Sequence, residues 1–141
     1  MGFSVSGSAA LIFVAAFIGF GMFYSATANG FENVNDARED QSERLLDQQN
    51  TEINITAATY ASEELIVEIN NTGATELSVS KTDLLTGNEY QSGYNTSVDT
   101  DDSTDIWSPQ ETLTITVTLT EEPTTVKVVT ETGVADTMVV S

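Results

Sequence analysis

The spacing of hydrophobic and polar positions changes twice along the chain, dividing it into three stretches. From Ala9 to Ala28 the sequence AALIFVAAFIGFGMFYSATA is apolar or small on every side and uncharged. Its 20 residues, at about 1.5 Å rise each, span about 30 Å, the hydrocarbon thickness of a bilayer. No Lys or Arg precedes this run, and it is longer than the apolar region of about 7–15 residues in a cleaved signal peptide. A retained membrane span is the better reading, with Ser25-Ala26-Thr27-Ala28 as the cleavage site of the competing one. From Phe31 to Gln49 the period becomes helical. Phe31, Val34, Ala37, Gln41, Leu45 and Gln48 share one side, while Glu32, Asp36, Glu39, Asp40, Glu43 and Asp47 fall mostly on the others. Glu39 and Asp40 are placed to pair with Arg44. The spacing predicts a helical stalk continuing the span, with a handover at Asn50-Thr51.

From Ile53 the period is two. Ile53–Ala57, Leu65–Ile69, Leu77–Val79, Leu84-Leu85, Leu113–Leu119, Val126–Val129 and Met138–Val140 read as about seven short strands. Asn70–Gly73, Thr86–Asn88, Glu121–Pro123 and Thr132-Gly133 separate them as turns. Thr at alternate positions of Leu113–Leu119 suits a solvated face, and Val, Ile and Leu the core. The expected fold class is α+β: a long N-terminal membrane-spanning helix followed by an all-β immunoglobulin-like sandwich. Residues 1–50 are assigned to the helix (span about 9–28) and its stalk, and 51–141 to the sandwich. Trp107, before Ser108-Pro109, is expected to pack at a strand edge or start.

Composition narrows the function. Among 141 residues there are no Cys and no His, and 22 Asp+Glu face 4 Lys+Arg, for a formal charge of −18. Disulfides, thiolate zinc sites, Cys nucleophiles and His-based triads are excluded. The near-absence of positive charge argues against nucleic acid. Residues 1–31 hold no charged side chain, so all the acid lies in the remaining stretch. Such self-repulsion is tolerated where salt screens it, which points to a halophile. The Lys/Arg asymmetry is weak, and a short N-terminal tail inside with an exported acidic C-terminal domain is the expected orientation. The sequons Asn54-Ile55-Thr56, Asn70-Asn71-Thr72 and Asn95-Thr96-Ser97 agree, making Asn54, Asn70 and Asn95 candidate glycosylation acceptors.

Within the span, Phe13, Phe17, Phe20 and Tyr24 form an aromatic stripe, and Ala15 and Gly19 a small-xxx-small pair. These residues are candidates for helix packing in the membrane, with simple exposure to lipid as the plainer reading. Asp99, Asp101, Ser103 and Asp105 have the spacing of the front of a Ca²⁺ loop. The Gly and the bidentate Glu of such a loop are replaced by Thr104 and Gln110, so a solvated acidic loop is expected. Glu63-Glu64 and Glu121-Glu122 are adjacent pairs on expected turns and make no acid/base dyad. No activated Ser or Thr and no phosphate loop is present. No catalytic residue, metal or cofactor is expected, and the chain is read as a non-enzyme.

The opening Met1-Gly-Phe-Ser-Val-Ser-Gly-Ser-Ala-Ala-Leu-Ile-Phe13, the span through Tyr24-Ser-Ala-Thr-Ala-Asn29, and Ile106-Trp-Ser-Pro-Gln-Glu-Thr-Leu-Thr-Ile-Thr-Val-Thr-Leu119 resemble the haloarchaeal archaellum accessory FlaF (ArlF) family, which is type IV pilin-like. The resemblance runs over essentially the whole chain. It implies a membrane-anchored part of the archaellum motor whose sandwich reaches the pseudoperiplasm, binds the S-layer protein and acts as a stator. The implied partners are the S-layer, the sister accessory protein FlaG, the motor and filament, membrane lipid and a second copy in a homodimer. An archaellin- or pilin-like filament subunit is the alternative. The lack of a basic residue before Ala9 makes processing at a pilin-type peptidase site doubtful, which favours the accessory protein.

Overall fold

The computed structural model describes the backbone of residues 2–141 and the side chains of residues 5–141; the opening Met1–Ser4 of the resemblance lies outside the described side chains. The chain divides into two compact units, Met1–Glu43 and Arg44–Ser141.

A single helix, α1, runs over Gly2–Asn50, 49 residues or about 74 Å. No Pro interrupts it, and Gly30 is absorbed within it. Leu11, Ile12, Phe13, Phe17, Phe20 and Phe23 are all exposed. By length and composition the helix is apolar enough to cross a membrane. α1 ends where the Thr51 hydroxyl donates to the Asp47 carbonyl at 2.6 Å, satisfying one of the last free carbonyls. Among the described residues the only ion pair is Lys81–Glu131, so the expected pairing of Glu39 or Asp40 with Arg44 does not form. Their exposed side chains gain little from pairing in water.

The second unit is a β-sandwich of antiparallel sheets. Its strands are β1 (Ile53–Ala61), β2 (Glu64–Asn71), β3 (Leu77–Ser78), β4 (Asp83–Thr86), β5 (Glu89–Tyr90), β6 (Asn95–Val98), β7 (Ile106–Trp107), β8 (Thr112–Thr118), β9 (Thr125–Val129) and β10 (Ala135–Val139). The first sheet has the order β1-β2-β8-β6, the second β10-β9-β4-β5, and β3 pairs with β7 in a small third sheet. There are ten strands where about seven were expected. The additional ones, β5, β6 and β7, are short and, apart from β7, largely polar, and are held by longer neighbours.

Alternation fills the core. Ile53, Ile55, Leu65, Val67, Ile69, Leu113, Ile115 and Val117 of the first sheet are buried together with Leu84, Val126 and Val128 of the second. A register shift between Ile55 and Ala57 lets Ala58 continue the inward row after the bulge. β1–β2 and β4–β5 turn through Ser62-Glu63 and Gly87-Asn88, all four at positive φ (57°, 65°, 56° and 71°). This is the geometry of two-residue turns that match strand twist. The seam beside β1 is closed by the last residue: Tyr60 N–H donates to Ser141 O (3.2 Å) and Ser141 N–H to Ala58 O (3.0 Å). Ile55 N–H donates to Asp136 Oδ2 at 2.8 Å along the same seam.

Trp107 and Asn71 tie the sandwich at one end. Trp107 is fully buried in β7, a two-residue strand paired only with β3. Its Nε1–H donates to Glu111 O at 2.9 Å. Asn71, also fully buried, donates from Nδ2 to Thr75 O (2.9 Å) and Trp107 O (3.1 Å), and its Oδ1 accepts Gly73 N–H (3.1 Å). Gly73 is required there: a Cβ would lie 2.5 Å from both Asn50 O and Glu52 N.

Candidate functional site

Two broad outer faces flank the core, and they differ sharply in chemistry. In the first sheet the register places Asn54, Asn70, Thr112, Thr114, Thr116, Glu64, Glu68, Asn95 and Ser97 outward, with Ile66 as the one large apolar side chain. That face is polar, with hydroxyls and amides in rows.

The second sheet is different. Because Leu84, Val126 and Val128 point inward, Asp83, Leu85, Thr125, Lys127 and Val129 point outward. Register adds Ala135, Thr137 and Val139 of β10 and Tyr90 of β5 to the same face: Leu85 lies beside both Lys127 and Tyr90, and Lys127 beside Thr137. Tyr90 is 62% and Val139 67% exposed. Residues 44–141 carry 17 acids and 3 bases, yet these nine positions hold one of each, Asp83 and Lys127. This electrically neutral sheet face, with exposed Tyr90, Ala135 and Val139 and half-buried Leu85 and Val129, offers another protein a surface with little like-charge repulsion on so acidic a chain. Sequence reasoning did not separate the faces, because its members come from four strands whose order is set by tertiary pairing.

The acidic loop is built from local structure. Val98 and Asp101 exchange two backbone bonds of 2.8 Å across Asp99 and Thr100, which sit at φ 45° and 81° in a tight turn. Asp99 Oδ1 accepts Thr112 N–H (3.0 Å), and Asp101 Oδ1 accepts the Ser103 N–H and hydroxyl (2.9 and 2.7 Å). Those Ser103 bonds hold the Asp101 carboxyl below its usual range. Asp105 reaches elsewhere: it accepts Ser80 N–H (2.7 Å) and the Ser78 hydroxyl (2.9 Å) at the 3₁₀ turn Val79–Lys81, and these bonds lower its pKa. Three carboxylates of the Ca²⁺-like spacing thus serve three separate backbone sites, and no metal-ligating group of three or more acids occurs among the described residues. Glu131 also anchors this turn: Oε1 accepts Ser78 N–H (3.1 Å) and Oε2 the Lys81 ammonium (2.9 Å), which raises the lysine's pKa. Burial raises the Tyr94 hydroxyl, which donates to Thr82 O at 2.6 Å.

The remaining sequence-predicted residues lie apart. Phe13, Ala15, Phe17, Gly19, Phe20 and Tyr24 are exposed on α1, and a Cβ on Gly19 would meet nothing within 4 Å. Asn54 and Asn95 are exposed, whereas Asn70 is half-buried. Glu63 stands in the turn and Glu64 opens β2. Sequence reasoning missed Asn71 as a buried tie; a sequon position followed by a Gly turn gave no sign of it.

Among solved structures, the chain is similar to the archaellum periplasmic stator protein FlaG from Sulfolobus acidocaldarius at 18% identity and a TM-score of 0.46, over 62% of this chain and 97% of that one. It is also similar to a chain of the archaellum periplasmic stator complex of FlaF and FlaG from the same organism, at 19% identity and a TM-score of 0.45, over 61% and 85%. No curated protein matches the chain. The family description "Archaeal-type flagellin" matches residues 2–140, nearly the full length. The chain therefore belongs to the archaeal-type flagellin family.

Proposed function

We propose that the protein is a non-enzymatic, membrane-anchored component of the archaellum motor, with α1 spanning the membrane once and residues 51–141 exported as the binding domain. The sandwich binds the S-layer protein and fixes the motor to the envelope as a stator. The observation that supports this reading is the neutral, partly apolar outer face of the second sheet on a chain of charge −18. A static anchor needs a permanent contact patch, and this face provides one without like-charge repulsion. The same face serves the other partners of the reading, the sister accessory protein FlaG and a second copy. Two copies related by a two-fold axis can set Lys127 of one against Asp83 of the other. In the membrane, Ala15 and Gly19 allow close approach of a neighbouring helix, while Phe13, Phe17, Phe20 and Tyr24 face lipid or that neighbour.

The test is co-sedimentation of the full chain in detergent with purified S-layer sheets at molar salt, against an unrelated acidic sandwich. Saturable pelleting above the control, lost in Leu85→Asp and Val139→Asp but kept in Thr114→Asp, is the expected result. Pelleting equal to the control overturns S-layer anchoring. A second reading, a filament subunit, is favoured by the flagellin name of the family. Recovery of the chain in membrane-free filaments would establish it.

A further inference from the structure

The three sequons occupy one face of one sheet but not equivalent places in it. Asn54 lies on β1, Asn70 on β2 and Asn95 on β6, in a sheet ordered β1-β2-β8-β6. Asn70 is therefore on an inner strand, opposite Asn54 on one side and Thr112 on the other. Directly opposed side chains in antiparallel strands stand about 4.5–5.5 Å apart at Cβ. The Asn70 amide is hemmed in accordingly: it is half-buried, and its Oδ1 has neither solvent nor a hydrogen-bond partner.

Its sequon is also immobile. The middle residue, Asn71, is fully buried and tied through its side chain to Thr75, Trp107 and Gly73, while its backbone bonds Glu111 O and Gln110 N–H. The Asn70-Asn71-Thr72 sequence is explained by the turn that needs Asn71. Asn95, whose sequon is also laddered, to Thr116, Ile115 and Thr114 of β8, differs in being exposed on an edge strand, as Asn54 is. It opens the edge strand β6, is exposed, and borders a depression of about 480 Å³ lined by Ser97, Thr100, Asp102, Thr114 and Thr116. Hydroxyls and a carboxylate there offer donors and acceptors to a sugar ring, and the edge leaves one side without a neighbouring strand.

We propose that Asn95 is an N-glycan acceptor of this protein and that Asn70, despite its sequon, is not. The glycan lies over the polar outer face of the first sheet and leaves the neutral face of the second sheet bare. The modification requires the sandwich to be outside the membrane, and in that respect it rests on the export assumed in the proposed function.

The full chain is produced in an archaeal host whose membrane oligosaccharyltransferase modifies Asn-X-Ser/Thr sequons, and its peptides are analysed by mass spectrometry. In parallel, an exposed Ser92→Cys, the sole cysteine of that variant, is labelled on intact cells with a membrane-impermeant maleimide. The expected result is labelling from outside, with most of the Asn95 peptide glycosylated and the Asn70 peptide bare. Asn95→Gln and Ser97→Ala both remove that mass, while Ser97→Thr, which keeps the sequon, retains it. Labelling from outside with a bare Asn95 peptide or a glycosylated Asn70 peptide overturns the acceptor assignment and leaves export standing. A cysteine that is not labelled from outside overturns both.

Discussion

Replacing Asn71 by Ala tests whether one buried amide ties the end of the sandwich. The amide satisfies Thr75 O, Trp107 O and Gly73 N–H, at 2.9, 3.1 and 3.1 Å. Alanine leaves all three without that partner. A buried polar group left unpaired costs about 1–3 kcal/mol, so three set an upper range near 9. Thr75 and Gly73 are only half-buried and regain some solvation, whereas Trp107 is fully enclosed. A loss of about 3–5 kcal/mol follows, a large part of the usual 5–15 kcal/mol of domain stability. At about 4–8 °C per kcal/mol for a unit of this size, the melting temperature falls by about 12–40 °C. The assay is thermal and urea unfolding of the full chain in detergent, followed by near-ultraviolet dichroism of Trp107, with Thr72→Ala as an exposed neighbour control. A loss under about 1 kcal/mol at unchanged m-value would refute the reasoning, since it would mean the three groups find other partners.

Further outcomes follow from other parts of the molecule. Gly73→Ala must displace backbone, because its Cβ would stand 2.5 Å from Asn50 O and Glu52 N; a loss of about 1–3 kcal/mol in urea unfolding is expected. Trp107→Phe removes the Nε1–H donor to Glu111 O and part of the core volume, for about 2–4 kcal/mol by the same measurement. The folded-state pKa of Asp105 is lowered, first by Ser80 N–H and then by the Ser78 hydroxyl. The stability this contributes is present above the unfolded carboxyl value of about 3.9 and is lost as pH falls through the folded value. Acid titration of unfolding is therefore expected to show a decline below about pH 4 that Asp105→Asn flattens. Lys127→Glu adds a second acid to the neutral face and is expected to weaken partner pelleting more at low than at high salt.

The helix was legible because its cause is local. An uncharged apolar run and the absence of Pro through Gln49 specify a helix whatever follows, and the length of the run matches a bilayer. β2 and β8 were legible for the same reason: alternation of Leu, Ile or Val with polar residues encodes which side faces the core. The polar β6 was not, since Asn95–Val98 becomes a strand only against Thr112–Thr118 of β8. A turn at Glu63-Glu64 was legible, but not its conformation: the two non-glycine residues Ser62 and Glu63 take positive φ to match the twist of the strands they join.

The surface divides along the same line. Total charge, the three sequons and the lack of Cys and His follow from residue identity alone, and the last excluded Cys- and His-dependent chemistry before any fold was known. The neutral face was decided by tertiary structure, because Leu85, Tyr90, Lys127 and Thr137 come together only when β4, β5, β9 and β10 pair in that order and register. The inequality of Asn54, Asn70 and Asn95 likewise depends on which strands lie inside the sheet and which at its edge. Side-chain periodicity is a property of one strand, whereas neighbours across a sheet are chosen by burial summed over the whole core.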